Sequence, residues 1–300
     1  MRPTILLICG LLLLASTVSS CSSAEAGGTA PSQQALLVNA ARSLSGATSV
    51  RFDAIAEVSA MQNGKDIGGD ASLRGGVARH AVSLDGSVKV HARAGEETLP
   101  FGLRVTGRQL YVNVLGRWYS ASLDHVKRQA LKRANTAARP GERQSLLRKL
   151  HTLMAANDIA GHAFTGEVSR GSKLDGTDTW QWQGTVDPDG ALAMLAKYAP
   201  PAKLDAAKRA LARRMLEQLA KLSTLTVIAG TDGRPRRAEV KIDANAAQLA
   251  SLTQAAGAAA AAGQLSELHA SVRIDLSHWN EHVSVTAPSG AKPIKQLFHR

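Results

Sequence analysis

The stretch from residue 49 to residue 114 constrains the fold most, because its apolar and polar residues alternate. From Ser49 to Ala60 one side is apolar, and it is formed by Val50, Phe52, Ala54, Ala56 and Val58. A period of two is typical of a strand with one buried face. More short strands are expected over 70–75, 78–84, 87–94, 98–106 and 109–114, separated by turn signals such as Asp85-Gly86 and Thr106-Gly107. The pattern predicts an antiparallel meander.

Helical spacing interrupts this pattern in a few places. Helices are expected at 32–44, in two pieces between 123 and 154, after Asp187 and over 204–222. Strands return at 159–169, 177–186, 224–229, 237–244, 270–276 and 283–287. The Ala-rich stretch 246–268 suits either a helix or a loose low-complexity insert. About ten strands in one sheet with inserted helices predict an α+β fold, with residues 33–300 forming a single domain.

The N-terminus carries a lipoprotein signal. A basic residue, Arg2, precedes an apolar run of 11 residues, Ile5 to Ala15, and Val18-Ser19-Ser20 leads directly to Cys21. Small residues before a cleavage site indicate a secretory signal, and the run is shorter than the roughly 20 residues that a spanning helix needs. We therefore expect residues 1–20 to be removed, Cys21 to be lipidated and residues 21–32 to form a flexible tether. An ordinary signal peptide with a chance Cys is the alternative.

Cysteine usage and charge limit the possible functions. Cys9 lies in the signal and Cys21 carries the lipid, so no thiol is left for a disulfide, a metal or a nucleophile. The net charge is +12, or +11 once Arg2 is removed with the signal, and two segments account for this excess, since residues 124–149 carry +6 and residues 197–222 carry +5. Anionic lipid head groups would attract both segments, and export argues against nucleic acid as the partner. The candidate membrane-docking residues are Lys127, Arg128, Lys132, Arg133, Arg148, Lys149, Lys208, Arg209, Arg213 and Arg214. Simple solvated helices over a sheet are the alternative.

One motif suggests an enzyme. His278-Trp279-Asn280-Glu281-His282 matches H-x-x-E-H, which binds zinc when both imidazoles lie on one face of a helix. Its flanks alternate like strands, however, so we expect a turn there and no metal site. Asp187-x-Asp189-Gly190 resembles the start of a calcium loop but lacks the carboxylate at the twelfth position, Tyr198, and predicts a helix cap instead. We expect no catalytic residues, cofactor or metal.

The apolar residues on strands and helices could line a cavity. A curved antiparallel sheet with helices over its concave face can enclose an apolar space. The candidate lining residues are Phe52, Ala54, Val58, Leu110, Val112, Trp118, Leu150, Met154, Trp180, Trp182, Met194, Leu195 and Tyr198. The alternative for each of them is that it fills a solid core.

The chain resembles the LppX/LprA/LprF/LprG-type actinobacterial lipoproteins. The resemblance rests on the lipidation signal, on Ala47 to Phe52, on Arg108 to Val112 with Gly116 to Tyr119, on Asp187 to Pro201, and on Leu276 to Trp279 with Val283 to Pro288. It implies a LolA-like lipid-carrier fold, in which a highly curved antiparallel half-barrel has helices over its concave face. It also implies a cavity for the acyl chains of a lipid or glycolipid, and no catalytic residues.

Three functions follow as hypotheses. The first is a lipoprotein, anchored to the extracytoplasmic face of the cell membrane, that binds acyl chains and helps to move a lipid across the cell envelope. The second is a surface scaffold, sensor or partner-binding lipoprotein with a filled core. The third is a hydrolase that uses His278, Glu281 and His282.

Overall fold

One sheet organises the chain. The structure is a computed structural model that describes residues 30–78, 81–92, 95–125, 163–198, 206–255 and 265–297. Within these ranges twelve strands follow the order β12-β6-β5-β4-β3-β2-β1-β11-β10-β9-β8-β7. The strands are β1 (Ser49–Gln62), β2 (Lys65–Ala78), β3 (Ala81–Ala92), β4 (Gly95–Thr106), β5 (Gln109–Val114), β6 (Arg117–Ser122), β7 (Phe164–Arg170), β8 (Thr179–Val186), β9 (Ser223–Gly230), β10 (Pro235–Asn245), β11 (Leu265–Ser277) and β12 (Lys292–Pro293).

Helices connect and flank these strands. They are α1 (Gln33–Gly46), α2 (Pro188–Tyr198), α3 (Ala206–Leu222), α4 (Ala246–Ala255) and a 3-10 turn (Ile294–Leu297). Among the described residues, no helix is long and apolar enough to span a membrane. The predicted α+β class is confirmed, and the sheet is open as a half-barrel requires, since β12 and β7 end the strand order.

Local sequence signals explain several connections. Asn63-Gly64 joins β1 to β2 with φ angles of 53° and 70°, which two-residue hairpins favour. Asp187 begins α2, because its carboxylate accepts a hydrogen bond from the Asp189 amide at 3.1 Å. The predicted helix cap at this position is therefore confirmed. In the Ala-rich stretch, residues 246–255 are helical and 265–277 form β11, while residues 256–264 lie outside the described residues.

The chain divides into two compact units. Unit 1 comprises residues 1–46, 58–67 and 151–273, and unit 2 comprises residues 47–57, 68–150 and 274–300. In unit 1, α1 packs against β7 to β10. The centre of this packing is Trp182, which is 1% exposed and lies among Leu36, Leu37 and Ala229.

Two glycines make room for Trp182. Gly166 and Gly184 face each other across β7 and β8. A Cβ atom added at Gly184 would lie 2.5 Å from Trp182 Cζ2, and one at Gly166 would lie 2.8 Å from Trp182 Nε1. The indole therefore covers a glycine pair, as aromatic residues do where strands lack side chains. Gln33 of α1 holds the outer strand in place, since its amide bonds both the Phe164 carbonyl at 2.7 Å and the Gly166 amide at 3.1 Å.

A turn after β11 closes unit 2 around the start of β1. The Asn280 side chain accepts hydrogen bonds from the Thr48 amide at 2.8 Å and the Thr48 hydroxyl at 3.1 Å. The backbone N–H of Asn280 donates to the Ser49 carbonyl at 2.9 Å, and the Ser49 hydroxyl donates to the Glu281 carbonyl. Trp279 is buried between two residues of positive φ, His278 at 50° and Asn280 at 61°.

Two sequence predictions about strands are wrong. Residues 283–287 are not a strand, because the chain after Ser277 turns and then runs irregularly to β12. Asp85-Gly86 is not a turn but lies inside β3, where Asp85 pairs with Arg74 and Gly86 pairs with Leu73. The predicted strands 70–75, 78–84 and 87–94 are therefore two long strands, β2 and β3.

Candidate functional site

An apolar surface covers one side of β2 to β6 in unit 2. The strand registers align three rows that each cross all five strands. From β2 to β6 the rows are Val77-Val82-Val105-Leu110-Ala121, Gly75-Leu84-Leu103-Val112-Tyr119 and Leu73-Gly86-Phe101-Val114-Arg117. A shorter row, Ala71-Val88-Leu99, extends it. We call this surface the apolar face.

The reverse side of the same strands is polar. Its rows are Gly76-Ser83-Arg104-Tyr111-Ser120 and Arg74-Asp85-Gly102-Asn113-Trp118. Because side chains alternate between the faces of a strand, most polar and apolar residues are separated, with Arg117 as a charged residue at the end of an apolar row. Arg104 illustrates the polar side, since its guanidinium bonds both Asp85 oxygens at 3.0 Å.

Burial of the apolar face decreases from β6 towards β3 and β4. Tyr119 and Ala121 on β6 are buried, whereas Val77, Val90, Leu99 and Phe101 are 40%, 44%, 38% and 38% exposed. On the polar side of β3 and β4, Glu96 accepts a hydrogen bond from the Lys89 ammonium at 2.6 Å, and this bond raises the pKa of Lys89. The protein thus keeps large apolar side chains in contact with solvent, which an ordinary solid core does not require.

Phe101 explains why Gly86 stands inside a strand. A Cβ atom at Gly86 would lie 2.7 Å from Phe101 Cζ and would also collide with the Ser72 carbonyl. The ring of Phe101 therefore extends over Gly86 and fills the place of its missing side chain. The glycine is required by close packing on the apolar face and does not mark a turn.

The structure brings four of the predicted lining residues to this surface. Leu110 and Val112 lie in its rows. Arg74 pairs with Asp53 at 2.8 Å, so Asp53 belongs to the polar side of the neighbouring strand β1. By alternation, Phe52 and Ala54 lie on the apolar side. Val58 also lies on β1, is 47% exposed and belongs to unit 1.

Trp118 does not join them. Its Cη2 atom would lie 3.0 Å from a Cβ atom at Gly102, and the Arg104 guanidinium carbon lies 5.0 Å from the centre of its ring. Both partners belong to the polar side, so Trp118 lies opposite Leu110 and Val112. The sequence around this tryptophan does not indicate on which face of the sheet its side chain lies.

Trp180 and Trp182 lie in the packed interior of unit 1. Phe164 meets Trp182 edge-on at 6.0 Å between ring centres, and Trp180 packs against the same cluster. The Arg170 guanidinium carbon lies 5.7 Å from the centre of the Trp180 ring. These two tryptophans contribute to a solid core beneath α1.

Some predicted residues cannot be placed. Cys21, Leu150, Met154, Lys127, Arg128, Lys132, Arg133, Arg148 and Lys149 lie outside the described residues. The backbones of Met194, Leu195 and Tyr198 lie in α2 and that of Lys208 in α3, but their side chains are outside the described set. Of the remaining basic candidates, Arg209, Arg213 and Arg214 are exposed on α3.

The H-x-x-E-H residues occupy an irregular turn. His278 has a φ of 50° and its Nδ1 atom lies 3.0 Å from the Ser277 hydroxyl, while Glu281 and His282 are exposed. The helix that a zinc site of this type needs is replaced here by the turn that the flanking sequence predicted. Within the described ranges, no three His, Cys, Asp or Glu side chains are grouped to bind a metal.

Many apolar residues of these rows were not among the candidate lining residues, including Leu73, Val77, Val82, Leu84, Val88, Leu99, Phe101, Leu103, Val105 and Val114. Their alternation was visible, but the false turn at Asp85-Gly86 divided β3 and hid the register that aligns them. The steric signal that could have revealed it, the contact between Gly86 and Phe101, joins residues 15 positions apart and is visible only in the fold.

Comparison with known proteins finds structural similarity only. No protein-family model matches the sequence, and no curated protein matches it. Among solved structures, LppX, a lipoprotein of Mycobacterium tuberculosis, is 16% identical, with 86% of this chain and 100% of that one covered at a TM-score of 0.35. LprF of Mycobacterium bovis is 17% identical, with 87% and 100% covered at a TM-score of 0.37.

A third similar structure is a LolA superfamily protein of Nitrosomonas europaea. It is 12% identical, with 85% of this chain and 96% of that one covered at a TM-score of 0.21. LppX and LprF are named members of the group that the sequence resembles.

Proposed function

We propose that this protein is a lipid-binding lipoprotein whose apolar face receives the acyl chains of a lipid or glycolipid. Anchored through Cys21 at the extracytoplasmic face of the cell membrane, it helps to move that lipid across the cell envelope. The observation that carries the proposal is the apolar face itself, whose three rows cross five strands and which leaves Val77, Val90, Leu99 and Phe101 well exposed.

The energetics suit this role without any chemistry. Each methylene that leaves water for an apolar surface contributes about 0.8 kcal/mol, so a long acyl chain can be held by contact alone. β-Branched and Leu side chains supply such contact over five adjacent strands. Most charged groups of those strands lie on the reverse side, and Arg117 and Glu97 are exposed at the edge of the apolar face.

The filled-core alternative applies to unit 1. There α1 packs closely against Trp182, which is only 1% exposed. A scaffold or sensor would be expected to show the same close covering on the apolar face of unit 2. The contrast between the two units favours lipid binding at unit 2.

The test is the uptake of a fluorescent lipid by the mature chain, residues 21–300, in which Cys21→Ala prevents acylation. Val77→Glu and Leu99→Glu each place a charge on the apolar face, and each should weaken uptake roughly tenfold or more, because a carboxylate against an acyl chain loses its water.

Leu115→Glu is the matched control. Leu115 is 66% exposed and lies in the β5–β6 turn with a φ of 50°, so it is not a member of the rows. Its variant should bind lipid as the unmodified protein does. Uptake that is equal in all three variants would exclude the apolar face as the binding surface, and circular dichroism would show that each variant is folded.

A further inference from the structure

Helix α3 in unit 1 presents a mixed apolar and cationic row to solvent. Residues spaced by three and four share one side of a helix, and this row consists of Ala207, Leu211, Arg214, Gln218 and Lys221. Leu211 is 38% exposed although it is a large apolar residue, and Arg214 and Lys221 are exposed beside it. The helix carries five basic residues and one acidic residue over residues 206–222, a net charge of +4.

Arg213 stands apart from that row. Its guanidinium bonds Asp189 of α2 at 3.0 Å and Glu217 of its own helix at 3.0 Å. Its charge is thus matched within the protein, and it holds α2 against α3. Arg214 makes a different contact, since its Nε atom donates to the Ala210 carbonyl of the same helix at 3.4 Å.

The inner side of α3 is fixed in unit 1. Leu222 is buried with Ala244 and Leu249, and the Thr185 hydroxyl donates to the Ala220 carbonyl at 2.7 Å. The Leu211 row is therefore the surface of a well-anchored helix. The tether reaches the same unit, because α1 begins at Gln33 only 12 residues after the expected anchor at Cys21. Twelve extended residues span at most about 40 Å, so unit 1 stays close to the membrane.

We propose that α3 docks on an anionic bilayer, with Leu211 entering the interface and Arg214 and Lys221 meeting the lipid head groups. An amphipathic surface of this kind binds by apolar insertion together with attraction to anionic lipid. The opposite charges match, and an exposed leucine among cations suits a bilayer better than an acidic protein. The inference relies on the proposed anchoring through Cys21 but not on lipid binding by the apolar face.

The experiment measures sedimentation of the non-acylated mature chain with vesicles of phosphatidylcholine, with and without phosphatidylglycerol. Binding should need phosphatidylglycerol and fall with added salt. Arg214→Gln should weaken it about fivefold, the effect of one interfacial cation, while Arg214→Lys should retain it. Leu211→Ser should weaken it roughly tenfold.

Two controls separate docking from general effects. Arg213→Gln with Glu217→Gln removes an ion pair from α3 without changing the net charge, and Leu115→Ser removes the most exposed leucine among the described residues of unit 2. Both should bind vesicles as the unmodified chain does. If Leu211→Ser and Arg214→Gln bind normally, or if Leu115→Ser loses as much binding as Leu211→Ser, the proposal is wrong. Lipid uptake measured in parallel shows independently whether the apolar face binds lipid.

Discussion

Two tryptophans have different structural roles because their surroundings in the fold differ. Trp182 lies over a pair of glycines beneath α1 and packs within a cluster of buried apolar residues. Trp118 lies on the polar side of unit 2, where Arg104 covers its ring. Both were candidate cavity residues from sequence, because a tryptophan on a strand suits either a core or a ligand surface. Only the register of the neighbouring strands separates the two cases.

Their replacement should have unequal effects on stability. Trp182→Ala leaves a large void under α1 and should lower the free energy of unfolding by about 3–5 kcal/mol. Trp118→Ala removes a cation–π contact at a partly exposed site, which is worth about 1 kcal/mol. Urea denaturation followed by circular dichroism compares them. Equal losses would contradict the assignment of Trp182 to the core.

At the scale of elements, the long strands β2 and β3 make the apolar face possible. Gly86 lies within β3, and its small size admits the ring of Phe101 from the adjacent strand. If β3 were interrupted at Asp85-Gly86, the rows across five strands would lose their register. Asp85 fits the uninterrupted strand equally well, since it faces the polar side and pairs with Arg104.

This explanation predicts the effect of a methyl group at Gly86. Alanine usually suits a strand better than glycine, but Gly86→Ala should destabilise the protein by about 1–3 kcal/mol, because the added carbon meets Phe101 and the Ser72 carbonyl. Ser87→Ala, one residue further and on the polar side, is the control and should change stability little. A stabilised Gly86→Ala variant in thermal unfolding would show that the contact has been misjudged.

Elements with strong local signals could be predicted from sequence. Alternation identified β1 and β5, Thr106-Gly107 identified the turn between β4 and β5, and Asp187 identified the start of α2. The missed features depend on contacts between distant residues. The hydrogen bonds between the 278–282 turn and Ser49, the pairing of β12 with β6 and the strand position of Gly86 have no local pattern that reveals them.

At the scale of the molecule, the apolar face and the basic helix belong to different units. Unit 2 carries the apolar face, and unit 1 carries α1, which follows the expected tether, together with the basic helix α3. The positive charge of α3 could be located from the sequence, but the sequence did not distinguish one of its cations from another. The structure distinguishes Arg213, which braces two helices, from Arg214, which lies in the exposed row.

The central claim is that the apolar face of unit 2 holds acyl chains. Native mass spectrometry of the mature Cys21→Ala chain, purified from a host membrane extract, tests it most directly. We predict a protein mass increased by a bound lipid that organic solvent extracts, and a clear loss of that increase in Leu99→Glu but not in Leu115→Glu. A folded protein that shows only its own mass, before and after incubation with lipid, would contradict the claim.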